Sequence, residues 1–315
     1  MTILATPTVA SVSLLDSERD PEAFARELGD SFERYGFAII ADHGIPADLI
    51  ARAEEKAKAF FALPEEVKKA YHTPGGGGAR GYTPFGTEAA KDADVVDLKE
   101  FWHTGRELPE GHPYRQYMRA NLKPGEVPHF HEHVYAMFKA LDALGLKLLA
   151  AVARYLKLED GFFEPTVREG NSVLRLLHYP PIPADAPGVR AGAHEDINVI
   201  TLLLGAEEAG LQVKDRDGQW LPINPPPGAI VVNVGDMLQR LTNHVLPSTT
   251  HRVVNPAPER RGFSRYSTPF FLHFIPDYEI RTLESCVTPD NPNRYPEPIT
   301  AQDYLMQRLR EIRLL

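Results

Sequence analysis

The chain has 315 residues, 43% of them apolar and 24% charged, and carries a formal net charge of −9 with a pI near 5.8. That length suits one large domain or two small ones, and the apolar share is ample for a core. The acidic balance argues against nucleic acid or an anionic membrane as a partner. No stretch of eighteen consecutive apolar residues offers a membrane span.

A lone cysteine, Cys286, excludes an intramolecular disulfide and fits a reducing compartment, so a cytoplasmic location is expected. Met1–Ser13 lacks a charged start followed by a long apolar run, so no signal peptide is expected.

Thr8 to Leu15 reads as a short strand. Asp20-Pro21 then opens a helix whose Phe24, Leu28, Phe32 and Tyr35 recur at helical spacing, and Gly36 ends it. Phe37 to Ile40 reads as a buried strand, and His43-Gly44 as a tight turn in which His43 is structural. Ala47 to Ala62 is a second helix, and Pro64-Glu65-Glu66 begins a short third one.

Four glycines between Thr73 and Arg80 lack the following Lys-Ser/Thr of a phosphate loop, which leaves a flexible lid as the better reading. Asp97 to His103 is a strand candidate. Leu108 to Pro128 reads as loop. His129, His131 and His133 alternate in a way that suggests a metal site. The apolar repeat from Val134 to Leu156 instead places them at the start of a long helix, where alternate residues diverge.

After Asn171 the pattern changes to short apolar strands divided by Pro and Gly: Ser172–Tyr179, Val199–Leu204, Leu211–Lys214, Trp220–Pro222, Ile230–Val234, His251–Val254 and Ser267–Ile275. This is the rhythm of a jelly roll. Thr300, with Asp303 three residues on, caps a closing helix that runs to about Ile312. The expected fold is mainly β with flanking helices (α+β): a double-stranded β-helix, or jelly roll, packed against a long helix and a helical N-terminal region. The expected division is 1–170 (helical, helping to form the substrate pocket), 171–280 (jelly-roll core) and 281–315 (closing helix), all within one structural unit.

His194 and Asp196 stand two apart. If Val199–Leu204 is the strand that follows, both sit on its leading edge and face one side. His251 reads as the start of another strand. Two imidazoles and one carboxylate converging in this way form the 2-His-1-carboxylate facial triad of non-haem Fe(II) oxygenases, which leaves adjacent metal positions open. Glu195 points away from the pair. Arg265 and Ser267, also two apart, make a fork-plus-hydroxyl clamp suited to the far carboxylate of a metal-chelating 2-oxo acid. Each piece alone is a short motif that arises by chance; the ordered set on successive strands carries the reading.

The chain resembles the isopenicillin N synthase-like family of Fe(II)/2-oxoglutarate-dependent dioxygenases. The resemblance rests on Tyr35-Gly36-Phe37, Asp42-His43-Gly44-Ile45-Pro46, Phe60-Phe61-Ala62-Leu63-Pro64, Arg80-Gly81-Tyr82, Asp97-Leu98-Lys99-Glu100, Tyr179-Pro180-Pro181, the His194/Asp196 pair, His251-Arg252-Val253 and Arg265/Ser267. It implies that 2-oxoglutarate and O2 become succinate and CO2 while a small molecule is hydroxylated, desaturated or cyclised. It also implies that Tyr179 hydrogen-bonds the oxo acid. The family's Asn-Tyr-Tyr-Pro reads here as Leu177-His178-Tyr179-Pro180, which removes one polar contact.

Arg80, Tyr82, Arg175 and His178 are the substrate-facing candidates, and the two arginines point to an acidic substrate. A monomer or weak homodimer is expected. Two alternatives stay open at this stage: an oxidase of the isopenicillin N synthase type that uses no 2-oxoglutarate, and a non-catalytic jelly-roll binder.

Overall fold

A computed structural model describes residues 9–74, 78–87, 98–181, 190–204, 210–255 and 261–311. The first long helix begins and ends where the sequence marks it. Asp20 accepts a hydrogen bond from the Ala23 amide at 3.0 Å, Pro21 occupies the first turn, and Gly36 closes Pro21–Tyr35 with φ of 69°. That left-handed φ favours glycine over any side chain. Ala47–Phe61 and the 26-residue Phe130–Tyr155 supply the other two long helices. Of the three alternating histidines, His129 caps this last helix and contacts Glu132, while His131 contacts Glu107. They share no centre. The closing helix Ala301–Glu311 starts on a reciprocal contact between Thr300 and Asp303. None of the described helices is long and apolar enough to cross a membrane.

Twelve strands make the two sheets that matter here: β1 Ser11–Ser13, β2 Phe37–Ala41, β3 Gly81–Thr83, β4 Glu100–Gly105, β5 Val173–Tyr179, β6 Ala191–His194, β7 Ile200–Leu204, β8 Leu211–Lys214, β9 Trp220–Pro222, β10 Ile230–Val234, β11 His251–Val253 and β12 Arg265–Leu272. The main sheet runs β1-β2-β10-β7-β12-β5-β4-β3, and the smaller one β6-β11-β8-β9. Strands from the helical front half thus extend both ends of the larger jelly-roll sheet.

Alternation decides what each face of the main sheet meets. Ala38, Leu174, Leu176, Leu202, Val232 and Phe270 point back into one large apolar core shared with the three long helices. Phe37, Ile39 and Val231 point forward and pack against Ala191, Leu211, Val213 and Val253 of the smaller sheet. Arg106 fastens the back layer. Its two terminal nitrogens donate to Asp142 at 2.6 and 3.0 Å, and Nε donates to the Gly170 carbonyl at 2.9 Å.

Helix Pro21–Tyr35 crosses Phe130–Tyr155 at Gly29, where an added Cβ would overlap the Tyr155 ring. Helix propensity favours alanine there by about 1 kcal/mol, but overpacking costs about 1–3 kcal/mol. Gly29→Ala should therefore lower stability by up to about 2 kcal/mol, read from the urea midpoint. A stabilised variant would show that the ring yields without cost.

Candidate metal centre and cosubstrate clamp

His251 pairs directly with His194 across β11 and β6. Cross-strand pairing brings the two side chains together, and the rings lie 4.4 Å apart between centroids. Asp196 reaches them from a different kind of segment. His194 ends β6, and Asp196 lies in the connection before β7, so the expectation that both share the leading edge of one strand is corrected. That connection is held by the start of the short helix Asp236–Leu241, whose Asp236 and Met237 amides donate to the carbonyls of Asp196 and Asn198 at 2.7 and 3.1 Å. The carbonyls of this turn are taken by the helix start rather than by a neighbouring strand.

Asp196 Oδ1 sits 3.8 Å from His194 Nε2 and 3.9 Å from His251 Nε2. Among the described residues this is the single group of His, Cys, Asp or Glu close enough to hold a metal ion, with one donor atom from each inside 4.8 Å. The remaining donor atoms are used by the scaffold. His194 Nδ1 lies 2.7 Å from the Gly192 carbonyl, and His251 Nδ1 lies 3.1 Å from the Thr249 carbonyl. A carbonyl only accepts, so each Nδ1 carries the proton and each Nε2 presents a lone pair. Asp196 Oδ2 accepts from Thr201 Oγ1 at 2.6 Å and from Asn233 Nδ2 at 2.8 Å, which turns Oδ1 toward the imidazoles.

Protonation agrees with this picture. Desolvation, then the neighbouring His251, pushes the partly exposed His194 down to about 4. Burial would raise the Asp196 carboxyl, but both histidines and the bonds from Asn233 and Thr201 outweigh it and hold the group below its ordinary value. His194 and Asp196 are therefore deprotonated near neutrality, as metal binding requires. The donor set fits Fe(II) of the facial-triad type. Glu195 turns away and meets the Thr250 hydroxyl.

Arg265 and Ser267 share the forward face of β12, in register with Tyr179 and Leu177 of β5. Both are buried, and the Arg265 guanidinium lies 5.1 Å from the centre of the Tyr179 ring. A second arginine, Arg190, approaches the same ring at 5.8 Å. Sequence reading missed Arg190, and missed Thr201 and Asn233 as well. The signal for the last two was present: each is a lone polar residue in a strand that is otherwise apolar, Ile200–Leu204 and Ile230–Val234.

The four substrate candidates separate by face. Arg175 lies on the forward face with Tyr179, and its Nε donates to His103 Nε2 at 2.6 Å. Arg80 is buried, with its guanidinium over Gly105 on that same face. Tyr82 and His178 lie on the back, so placing them toward the substrate is corrected. They pair with Trp102 and Glu100, one residue out of phase with the forward set. Tyr82 donates to Glu100 at 2.5 Å, Lys68 bonds both Glu100 oxygens at 2.8 and 3.0 Å, and His178 Nδ1 lies 2.7 Å from the same carboxylate. Burial would raise the Glu100 carboxyl, but the bonds from His178, Lys68 and Tyr82 prevail and hold it below the usual range.

Two outcomes follow from this geometry. Asn233→Leu should weaken Fe(II) affinity about 10- to 100-fold by freeing the Asp196 carboxylate to rotate, measured by anaerobic metal titration; an unchanged affinity would mean that Thr201 suffices. The second concerns His273, buried just beyond β12, which burial pushes down to about 4. Between pH 6.5 and 4 its unfolded form binds a proton that the folded ring refuses, so stability falls as pH falls. The slope from this group is about 1.4 kcal/mol per pH unit. His273→Asn should flatten the denaturation-versus-pH curve of the metal-free protein in that window, and an unaltered curve would count against it.

Comparison with known proteins matches residues 7–126 to the non-haem dioxygenase in morphine synthesis N-terminal family and residues 170–274 to the 2OG-Fe(II) oxygenase superfamily. A 2-oxoglutarate-Fe(II) type oxidoreductase of Emericella nidulans is 37% identical over 88% of this chain and 81% of its own length. A proline hydroxylase of Petromyces alliaceus is 35% identical, over 91% of this chain and 93% of its own. Among solved structures, a 2OG-Fe(II) oxygenase family protein from Caulobacter crescentus is 64% identical with a TM-score of 0.92, over 98% of this chain and 100% of its own. A Neurospora crassa protein crystallised with alpha-KG is 29% identical with a TM-score of 0.83, over 95% of each chain. With this sequence, this double sheet and this triad, the chain belongs to the 2OG-Fe(II) oxygenase superfamily.

Proposed function

We propose that His194, Asp196 and His251 hold Fe(II), and that Arg265, Ser267 and Tyr179 hold the far carboxylate of 2-oxoglutarate, in an enzyme that oxidises a small molecule. The observation that carries this reading is the division of donor atoms. Both Nδ1 atoms and Asp196 Oδ2 are engaged by the scaffold, while two Nε2 atoms and Oδ1 face one point. The chemistry that bound iron and 2-oxoglutarate supply is O2 activation coupled to release of succinate and CO2.

The protein's own part is positional. The backbone carbonyls of Gly192 and Thr249 fix the tautomer of each imidazole. Thr201 and Asn233 fix the carboxylate. Arg265 and Ser267 offer a charge-assisted fork and a hydroxyl on one face, and the Tyr179 ring packs beneath the guanidinium. The front-half strand β4 forms part of the pocket wall, with Phe101 and His103 facing inward.

His194→Ala should abolish stoichiometric Fe(II) binding and Fe(II)-dependent succinate formation, and a fully active variant would remove His194 from the ligand set. Arg265→Ala should raise the apparent KM for 2-oxoglutarate about tenfold or more, since a bidentate charged contact is lost. Succinate release at varied 2-oxoglutarate reads this directly, and an unchanged KM would move the clamp elsewhere.

A further inference from the structure

We propose that the substrate of this site carries a carboxylate and that Arg80 is its anchor. The inference rests on the oxygenase reading for where the reaction happens, and on Arg80 alone for what the substrate must carry.

Arg80 enters at the start of β3, just after the glycine run, and is 6% exposed. Its Nη1 donates to the Ala79 carbonyl at 2.6 Å. Nε and Nη2 are buried and make no hydrogen bond. Those two atoms form one edge of the guanidinium, the edge that accepts a carboxylate side-on through two parallel bonds. The chain shows elsewhere how it satisfies a structural arginine. Arg106 grips Asp142 with both terminal nitrogens and spends Nε on a carbonyl. Among the described residues, Arg80 has no such partner.

The position is as informative as the vacancy of the edge. The guanidinium occupies the space above Gly105 where a side chain would otherwise stand. Gly105 pairs with Val173, Val173 with Phe271, and Phe271 with Thr201, whose hydroxyl donates to Asp196. Arg80 and the candidate metal ligand therefore stand over one row of the forward face. Three strand spacings separate the ends of that row, roughly 14 Å. A molecule held by its carboxylate at Arg80 must span most of that distance to reach the metal centre.

The surroundings favour an anion. His273 follows two residues after Phe271 on the same face and lies within electrostatic reach of both Asp196 and Arg80. Arg175, one row over, lies 4.2 Å above the Phe101 ring and 5.2 Å from that of Phe271, so a second cation and two aromatic rings line the way. Glu100, the one carboxylate on the main-sheet strands, points to the back, and Asp196 belongs to the metal set.

The test is equilibrium dialysis of the Fe(II)-loaded protein without air and with saturating 2-oxoglutarate, so that the Arg265 clamp is filled. The probes are benzoate, phenylacetate, 4-phenylbutyrate and hexanoate, each beside its primary amide. We expect at least one acid to bind ten times more tightly than its amide. Arg80→Met should cut that acid's affinity at least tenfold, to the level of the amide, and Arg80→Lys should restore part of it. Equal binding of acids and amides, binding of no acid, or a preference retained in Arg80→Met would each overturn the proposal. The acid–amide comparison in the unaltered protein stands even if the variant folds poorly. Succinate formation in the same preparation reports separately on the oxygenase reading, and dialysis remains readable in protein that does not turn over.

Discussion

One carboxylate divides its two oxygens between scaffold and chemistry, and the centre depends on that division. Asp196 gives Oδ2 to Thr201 and Asn233, which stand on neighbouring strands of the main sheet. It gives Oδ1 to two imidazoles carried by the other sheet. The ligand set therefore bridges the sandwich, and a shift of either sheet is felt at the same atom. A buried carboxylate without those two donors would be costly to keep ionised. With them it stays charged and fixed in orientation, and a metal needs both.

The two faces of the main sheet divide labour by parity. On β4, Glu100 and Trp102 face the helices, while Phe101, His103 and Gly105 face the cavity. The Lys68–Glu100–Tyr82–His178 network thus lies directly behind the forward face of the sheet. Removing one partner of such a buried network costs about 3–5 kcal/mol. The network ties together the helix Glu65–Lys69 and strands β3, β4 and β5. Its effect on the front is to hold the backbone on which Arg175, Tyr179 and Gly105 depend.

Much of this was legible in the sequence, and the limits have physical causes. Caps wrote the helices plainly: Asp20-Pro21 and Gly36, then Thr300 with Asp303, act within four residues of their targets. Strands of branched and aromatic residues, such as β7 and β10, also declared themselves. β6 did not. Its sequence, Ala-Gly-Ala-His, has almost no strand preference of its own, and pairing with β11 makes it a strand. The triad was found by residue type and spacing, although the supposed geometry of a single strand was wrong, because a turn can deliver the same convergence. Tyr82 and His178 were misplaced for another reason. A shift of one residue exchanges the faces of a sheet, and only the register against β4 and β12 fixes that parity.

Charge makes the last distinction. The chain as a whole carries −9, yet Arg80, Arg175, Arg190 and Arg265 all approach the forward face of one sheet. A surface of one sign around a cavity of the other focuses the field into the cavity and raises the local concentration of small anions. In the function proposed above, 2-oxoglutarate, with two carboxylates, takes the Arg265 end. The Arg80 end lies over β4, two strands from β12 and on the side away from β7 and the metal ligands. An unpaired buried cation is expensive to maintain in the free protein, and binding of an anion relieves that cost. As the proposed anchor, the same guanidinium would reject neutral analogues, because they leave its edge desolvated and without an acceptor. On the proposed anchoring, selection among small molecules rests with a group that takes no part in the metal chemistry.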